Sequence, residues 1–159
     1  MELSAQGLAR SLARAPRAVL ATHGADGHAA LVPIVFAQGA SVIWSPVDGK
    51  PKGAGELARV RNVLRDPRVA LLVDHYAADW SLLWWIRVEG RARIVRAEQE
   101  ERGPEELRNA AAALRAKYPQ YAALPLFRAP PTLLCVDVLA TRSWAASPTA
   151  QRAAEEEER

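Results

Sequence analysis

The chain is poor in cysteine and has no long hydrophobic run, and each shortage excludes a class of protein. Its 159 residues contain one cysteine, Cys135, which cannot form an internal disulfide bond. A single free cysteine is typical of a protein from a reducing compartment. No apolar stretch approaches the roughly 20 residues of a membrane-spanning helix, and the N-terminal segment MELSAQGLARSLARAP lacks the apolar block of a signal peptide. We therefore expect a cytoplasmic protein without a membrane partner.

The sequence also lacks the motifs of several common enzyme classes. GxSxG, HExxH, CxxC and the dinucleotide-binding GxGxxG are all missing. His23 and His28 flank a predicted turn, but two histidines without a third ligand make a weak metal site. Cys135 lies in the middle of an apolar run, where a buried, inert thiol is the usual state. The sequence therefore predicts no metal and no nucleophilic cysteine.

Lysine is scarce, which makes its positions informative. The net charge is +3, but the 21 basic residues include only three lysines, Lys50, Lys52 and Lys117. Two of them share the segment DGKPK, in a loop rich in glycine and proline just before a predicted helix. The N-terminus of a helix carries unpaired N–H groups and a partial positive charge, which favour phosphate or carboxylate. The loop is thus a candidate anion site, with Arg61 and Asn62 as possible further donors, and a solvated surface loop is the alternative.

Turn residues and hydrophobic periodicity divide the chain into short strands with a few helices. The periodicity predicts helices over residues 3–14, 56–65 and 104–117. It predicts strands over residues 18–23, 29–36, 41–45, 68–74, 82–95 and 132–139. The strand at 68–74 has an unbroken apolar centre, which predicts cover on both faces. Pro33 predicts an edge or bulge position for its strand, and Gly90 predicts a bend.

The order of these elements favours a mainly β fold. Successive hairpins predict antiparallel pairing, and strands of this kind close into a small β-barrel with helices at its openings. We expect one domain over residues 1–147 and a flexible acidic tail over residues 148–159. A doubly wound parallel sheet is disfavoured, because helices do not alternate with the strands.

Tryptophan is the one abundant aromatic residue, with five copies. Trp84 and Trp85 are adjacent on a predicted strand, so one points to each face of the sheet. A tryptophan on the outer face indicates either a protein partner or a stacked planar ligand. Nucleic-acid binding is disfavoured, because the tryptophans lie in apolar runs rather than between basic residues.

Three segments together carry a resemblance to a known family. They are LATHGADGHAALVPIVF, then VIWSPVDGKPKGAGELARVRNVLRDPRVALLVDHY, then DWSLLWWIRVEGRARIV, and a closing strand ends in RSW. The chain resembles the pyridoxamine 5'-phosphate oxidase-like superfamily of split β-barrel flavoproteins over residues 18–144. Within it, the chain is most similar to the deazaflavin-dependent (coenzyme F420) oxidoreductases of actinobacteria. It lacks the Arg-x-His type of ending expected for recognition of pyridoxal phosphate, so vitamin-B6 oxidation is not implied.

The resemblance implies a homodimer with a flavin-type cofactor in each of two clefts between the subunits. It implies that one strand lies along the ring of the cofactor, that a second group of residues binds its phosphate, and that a third group lies at the dimer cleft. The strand residues are Val32, Pro33, Ile34 and Val35. The phosphate residues are Ser45, Lys50, Pro51 and Lys52, helped by Arg61 and Asn62. The cleft residues are Trp85, Arg87, Arg142 and Trp144.

The implied function is hydride transfer between the cofactor, F420 by preference, and a small organic substrate. The cofactor carries the chemistry and the protein supplies position and electrostatics. His75 or Tyr76 could supply a proton, but no catalytic side chain is assigned. The alternatives are an FMN-dependent oxidase or flavin reductase on the same fold, and a non-catalytic flavin- or haem-binding protein.

Overall fold

The computed structural model describes residues 1–47, 56–97 and 103–155, and over these ranges the chain forms four α-helices and seven β-strands. The helices are α1 (Ala5–Arg14), α2 (Ala58–Arg65), α3 (Gly103–Lys117) and α4 (Pro148–Glu155). The strands are β1 (Ala18–His23), β2 (Ala29–Ile34), β3 (Ala37–Gln38), β4 (Val42–Pro46), β5 (Arg68–His75), β6 (Trp84–Arg96) and β7 (Thr132–Ala145). Short 3-10 turns cover Trp80–Leu82 and Pro119–Ala122.

The strands form one antiparallel sheet whose two edges are linked by the chain itself. The order is β2-β1-β5-β6-β7-β4-β3, and every neighbouring pair is antiparallel. The edge strands β2 and β3 are consecutive, with only Val35 and Phe36 between them. The sheet must therefore curl until its edges are neighbours, although its hydrogen bonding does not run continuously round. This arrangement confirms the mainly β, split-barrel fold with flanking helices.

Two hydrophobic clusters lie on opposite sides of the sheet. The larger fills the inside of the curl, and its most buried members include Leu20, Leu71, Ile86 and Val136. The smaller lies between α3 and the outer face of β6 and β7, and it includes Leu114, Leu133 and Cys135. Cys135 is completely buried, as the sequence predicts. The C-terminal half of β6, the N-terminal half of β7 and β4 are thus covered on both faces.

Two single-residue predictions about the sheet are confirmed. Pro33 lies on β2, an edge strand, where its missing N–H costs no ladder hydrogen bond on the open side. Gly90 lies where the register between β6 and β7 shifts by one residue, which is a β-bulge. The bulge bends the long strand β6 without interrupting it.

One strand prediction is wrong. The sequence predicts that residues 68–74 are covered on both faces, but in β5 only alternate residues are buried. Leu72 points outward and is 40% exposed, and Asp74 is exposed on the same face. In the single chain, no residue of the described ranges buries Leu72 or Asp74 on this face of β5.

The structure also differs from the sequence prediction at the C-terminal end. Residues 148–159 are predicted to be a flexible tail, but Pro148–Glu155 form α4, which packs against α1 through the buried Ala150 and Ala154. Ser147 caps the helix, because its hydroxyl accepts hydrogen bonds from the backbone N–H groups of Thr149 and Ala150, each at 3.1 Å. The Ser-Pro pair is a helix start signal that outweighs the acidic composition. Residues 156–159 lie outside the described part of the chain.

Among the helices of the described ranges, none combines the length and the apolar character that a membrane crossing requires.

Candidate cofactor site

One row of side chains crosses the outer face of the sheet and joins three of the predicted site residues. Pro33 of β2 pairs with Val19 of β1, which pairs with Leu72 of β5. Leu72 pairs with Arg87 of β6, and Arg87 pairs with Arg142 of β7. Paired residues point to the same face and neighbouring strands lie about 4.8 Å apart. Pro33, Arg87 and Arg142 therefore share a row that spans five strands.

The next row on the same face holds the two outward tryptophans. Trp85 pairs with Trp144 across β6 and β7, and with Asp74 across β5 and β6. Trp84, its neighbour in sequence, packs against the inner cluster instead. The prediction that one of these two tryptophans points inward and one outward is confirmed. All four predicted cleft residues, Trp85, Arg87, Arg142 and Trp144, thus lie in two adjacent rows.

This outer face is apolar as well as cationic. Leu31 is 67% exposed, and Leu72 and Trp144 are each 40% exposed. Arg87 forms an ion pair with Glu89, with Nε and Oε1 3.1 Å apart. Contiguous exposed apolar side chains usually mark an interaction surface. We call the outward side chains of these two rows, together with Leu31, the β-face.

Ser45 is a buried polar residue whose hydroxyl has no partner among the described residues. It lies on β4 opposite Leu134 of β7 and is 2% exposed. Its Oγ accepts and donates no hydrogen bond within this part of the chain. Buried polar atoms in native proteins are almost always hydrogen-bonded, so an orphaned hydroxyl indicates a group that is supplied from elsewhere.

The first turn of α2 contacts the end of β4 through the side chain of Arg59. Its N-cap residue, Leu57, provides no side-chain hydrogen bond to the first turn. Arg59, in that turn, is half-buried, and its Nη2 donates to the carbonyl oxygen of Pro46 at 3.5 Å. The nearby carboxylate of Glu56 is neutralised by Arg96, with Oε1 and Nη2 2.5 Å apart. The sequence analysis missed Arg59, and its place in the first turn after the lysine loop is the signal that could have found it.

The two predicted helper residues on α2 have different surroundings. Asn62 is buried, and its amide donates to the Thr22 hydroxyl at 2.9 Å and accepts from Arg65 at 3.1 Å. These bonds fasten α2 to β1. Arg61 is exposed and donates to the backbone oxygen of Glu56. A cofactor role for either residue stays a prediction.

Of the four predicted strand residues, only Pro33 is exposed. Val32 packs against the inner cluster and Ile34 is a buried member of it. Val35, between β2 and β3, packs against the smaller cluster. A ligand along this strand would therefore contact Pro33 and the backbone of the open edge rather than the other three side chains.

The remaining predicted residues have little described structure or few contacts. Lys50, Pro51 and Lys52 lie outside the described residues. The ring of His75 stacks on that of Trp84, with centroids 6.0 Å apart and an angle of 15° between the planes. Tyr76 is largely exposed. Neither residue is placed in a catalytic role by these contacts.

Within the described ranges, no geometry supports metal binding or catalysis by the cysteine. They contain no group of three or more histidine, cysteine or acidic residues placed to hold a metal ion. Burial raises the pKa of the Cys135 thiol far above its ordinary value, helped by the charge of Glu106. A thiol in that state is a poor nucleophile at neutral pH. Arg93 donates to both carboxylate oxygens of Glu106, at 2.7 and 2.8 Å, and lowers the pKa of Glu106, so this pair is part of the packing of α3 on the sheet.

Comparisons with known proteins show the family and the fold of the chain. Residues 6–144 match the model of the family described as pyridoxamine 5'-phosphate oxidase. No curated protein matches the chain in sequence.

Solved structures with similar folds include three of different description. A conserved hypothetical protein, Rv2991, of Mycobacterium tuberculosis is 23% identical with a TM-score of 0.69, covering 91% of this chain and 86% of its own. A protein described as an F420 reductase is 21% identical with a TM-score of 0.54, over 82% and 91% of the two chains. An FAD-binding protein of Mesorhizobium loti is 17% identical with a TM-score of 0.60, over 90% and 93%. At these identities the likeness establishes the fold.

Proposed function

The chain belongs to the pyridoxamine 5'-phosphate oxidase family, and from this membership we propose that it is an oxidoreductase that uses a bound flavin-type cofactor, coenzyme F420 by preference. The family and the fold support a flavin-type cofactor. The choice of F420 is supported by the resemblance of the sequence to the deazaflavin-dependent branch and by the fold shared with an F420 reductase.

The orphaned hydroxyl of Ser45 is the observation that carries this proposal. Ser45 directly precedes Pro46, whose carbonyl Arg59 contacts from the first turn of α2. A hydroxyl, a guanidinium and a helix N-terminus together suit a phosphate, because each offers a hydrogen-bond donor or positive charge. The described residues therefore fit the phosphate of a flavin-type cofactor. Lys50 and Lys52 stand in the connecting segment and complete the proposed set.

We place the ring of the cofactor between two copies of the chain. The β-face carries Pro33, Arg87, Arg142 and the two outward tryptophans, and its exposed leucines need cover. A second copy packed on this face would bury them and bring its own residues to the edge of β2. In this homodimer, Pro33 and the backbone edge line one side of the ring. Arg87, paired with Glu89, and Arg142 set the charge of the cleft.

The chain's own part in the reaction is binding, orientation and exclusion of water. When bound, the deazaflavin supplies hydride exchange at its ring carbon with an electron-poor carbon of the substrate. The phosphate residues fix the cofactor along β2, and the tryptophans screen the cleft from water. His75 and Tyr76 stand at the end of β5 and are the candidate proton sources for the substrate.

The experiment that tests the cofactor is native mass spectrometry of the purified chain after incubation with FMN or with F420. We expect a dimer that carries two molecules of F420, with FMN bound more weakly. A dimer that retains FMN, is yellow, bleaches with dithionite and recovers its colour in air would support the FMN-dependent alternative. A chain that binds neither would contradict the proposal.

A substitution at Ser45 tests the phosphate site. Because its hydroxyl has no partner in the described structure, Ser45→Ala should leave the stability of the free protein unchanged or slightly raised. It should lower cofactor affinity about 2- to 10-fold, the value of one hydrogen bond of about 0.5–1.5 kcal/mol. Fluorescence titration and thermal unfolding measure the two effects.

Ser11→Ala is the matched control. Ser11 is also buried, but its hydroxyl donates to the backbone oxygen of Ala154 at 3.3 Å. This variant should lose stability without losing affinity. If Ser45→Ala instead lowers stability and leaves affinity intact, Ser45 does not belong to the phosphate site.

A further inference from the structure

A large open cavity lies beside the end of β5, where Asp74 and His75 line it. Its volume is about 1300 Å³, and it is enclosed by the C-terminal ends of α1 and α3, the start of β3, the end of β5 and part of α4. Many of the residues that line it are alanines, whose small side chains leave room for a ligand. Of the predicted cofactor residues within the described ranges, none lines this cavity.

Lys117 is the one lysine of the described residues, and it lines this cavity. It is the last residue of α3, and its Nζ donates to the carbonyl oxygen of Leu12 at 2.8 Å. The same nitrogen stands 3.7 Å from the centroid of the Phe36 ring. The neighbouring Tyr118 fixes this corner, because its hydroxyl donates to the backbone oxygen of Phe36 at 3.0 Å and accepts from the Phe36 N–H at 3.1 Å. The amine is thus held in one place at the cavity wall.

The surroundings of Lys117 favour its neutral form. Burial lowers the pKa of Lys117 from the ordinary lysine value to about 8. The Phe36 ring and the Leu12 carbonyl favour the ammonium, but the loss of water around Nζ outweighs them. A neutral amine is a nucleophile, whereas an ammonium is not.

The charged groups that face the cavity have a positive excess. They come from α1, from the segment between α1 and β1, from β5 and from the residue after α3. They are Arg14, Arg17, Asp74 and His75, with the Tyr118 phenol beside Lys117. Arg14 already has a partner of its own, and the guanidinium of Arg17 favours a ligand with negative charge.

We propose that Lys117 is a nucleophilic lysine that accepts an acyl group from small acyl phosphates, in a cavity lined by none of the predicted cofactor residues of the described ranges. The cavity admits the donor, the fixed amine attacks it, and the guanidinium of Arg17 favours its phosphate group.

The transfer of the acyl group from the acyl phosphate to Nζ needs no further reactant. The lone pair of Nζ attacks the carbonyl carbon and forms an amide bond. The bond between that carbon and the phosphate oxygen breaks, and inorganic phosphate leaves with the electron pair. Nζ releases a proton to solvent. The product is a neutral amide, which removes one positive charge from the cavity.

Acetylation of the whole protein by acetyl phosphate tests this proposal, with the other two lysines as internal references. Time courses between pH 7 and pH 9.5, read by peptide mass spectrometry, give a rate for each of Lys50, Lys52 and Lys117. We expect Lys117 to react at least about tenfold faster at pH 7.5, because a far larger fraction of it is neutral there. Its rate should level off above pH 8, while the reference rates continue to rise. Equal rates at the three lysines would overturn the proposal.

A comparison of an anionic acyl donor with a neutral one tests whether the cavity prefers a negatively charged donor. Arg17→Gln should lower the rate at Lys117 about 3- to 10-fold with acetyl phosphate and leave it unchanged with p-nitrophenyl acetate, which is neutral. Arg115→Gln is the matched control, since Arg115 is on α3 and exposed but outside the cavity wall. If Arg17→Gln changes the two donors equally or changes neither, the cavity does not select acyl phosphates. Neither measurement depends on a bound flavin-type cofactor.

Discussion

At the scale of single residues, Gly90 has too little room for any side chain. It lies at the bulge between β6 and β7, and a Cβ built there would stand 2.5 Å from the backbone oxygen of Asp137 and 2.6 Å from Cγ1 of Val136. Real Cβ atoms do not approach backbone so closely, so a larger residue must push the two strands apart. The glycine is needed for lack of a side chain rather than for an unusual backbone angle.

Gly90→Ala should therefore destabilise the fold by about 1–3 kcal/mol, the cost of overpacking a filled interior. Urea unfolding followed by circular dichroism measures this change. Gly27→Asn is the control, because Gly27 has a φ of 83° and no atom near its missing Cβ, and asparagine tolerates that conformation. Equal stabilities of the two variants would contradict the crowding argument.

Lys117 gives a second prediction at this scale, in the pH dependence of stability. Its pKa is about 8 in the folded chain and near 10.5 when unfolded. Below pH 8 it is charged in both states, so folding carries the full cost of burying the ammonium. Between pH 8 and pH 10.5 the unfolded chain binds more protons, so the free energy of unfolding rises with pH.

Lys117→Met removes the charge and keeps most of the side-chain volume. The variant should be more stable than the natural chain at pH 7, and the difference should shrink as the pH approaches 10.5. Parallel urea titrations at pH 7 and pH 10 measure it, and the other titrating groups cancel in the difference. A difference that is the same at both values would show that burial does not perturb this lysine.

At the scale of elements, the attachment of α2 to the sheet depends on the buried side-chain amide of Asn62. Asn62 joins the helix to β1 through Thr22 and also receives Arg65 from its own helix. Removing the amide leaves the Thr22 hydroxyl buried without this partner, and such groups are costly.

Asn62→Ala should destabilise the fold by about 1–3 kcal/mol, whereas Arg61→Ala, on the exposed side of the same helix, should change it by less than about 0.5 kcal/mol. Thermal unfolding with and without cofactor separates structure from binding. If Asn62→Ala keeps its stability and loses only cofactor affinity, the residue belongs to the phosphate site that the sequence resemblance implies. The opposite result assigns it to the attachment of α2.

The elements that the sequence predicts well are those with strong local signals. Asp26-Gly27 marks the β1–β2 hairpin, and in the structure β1 covers Ala18–His23 as predicted. The periodicity misses the end of β7, because residues 140–145 (ATRSWA) contain three consecutive polar residues and no apolar run. Pairing with β6 makes them a strand. The orphaned hydroxyl of Ser45 follows from tertiary packing, which no local pattern encodes. The lysine loop, the strongest sequence signal, lies outside the described residues, so its role stays a prediction.

For the molecule as a whole, the β-face is the feature that the single chain leaves unexplained. The sequence predicts β5 to be covered on both faces, and the apolar run at residues 69–73 retains that signal although Leu72 is exposed in one chain. A second copy packed on the β-face would explain both the apolar run and the exposure of Leu72 in one chain. It would cover Leu72 together with Leu31 and the outward tryptophans. The pattern of the sequence then describes the assembly rather than the single chain.

Leu72→Glu tests this explanation. A carboxylate there would stand beside Arg87 of the same chain, but both charges would lose their water at the centre of a dimer interface, so the variant should be monomeric at concentrations where the natural chain is a dimer. It should also bind the flavin-type cofactor at least about tenfold more weakly, because the cleft then lacks its second wall. Light scattering coupled to size-exclusion chromatography gives the mass, and fluorescence titration gives the affinity. Leu124→Glu is the control, since Leu124 is 55% exposed but away from the β-face, and it should change neither quantity. A Leu72→Glu chain that is still dimeric and still binds cofactor would exclude the β-face as the interface, and would leave the phosphate site at Ser45 as a site formed by one chain alone.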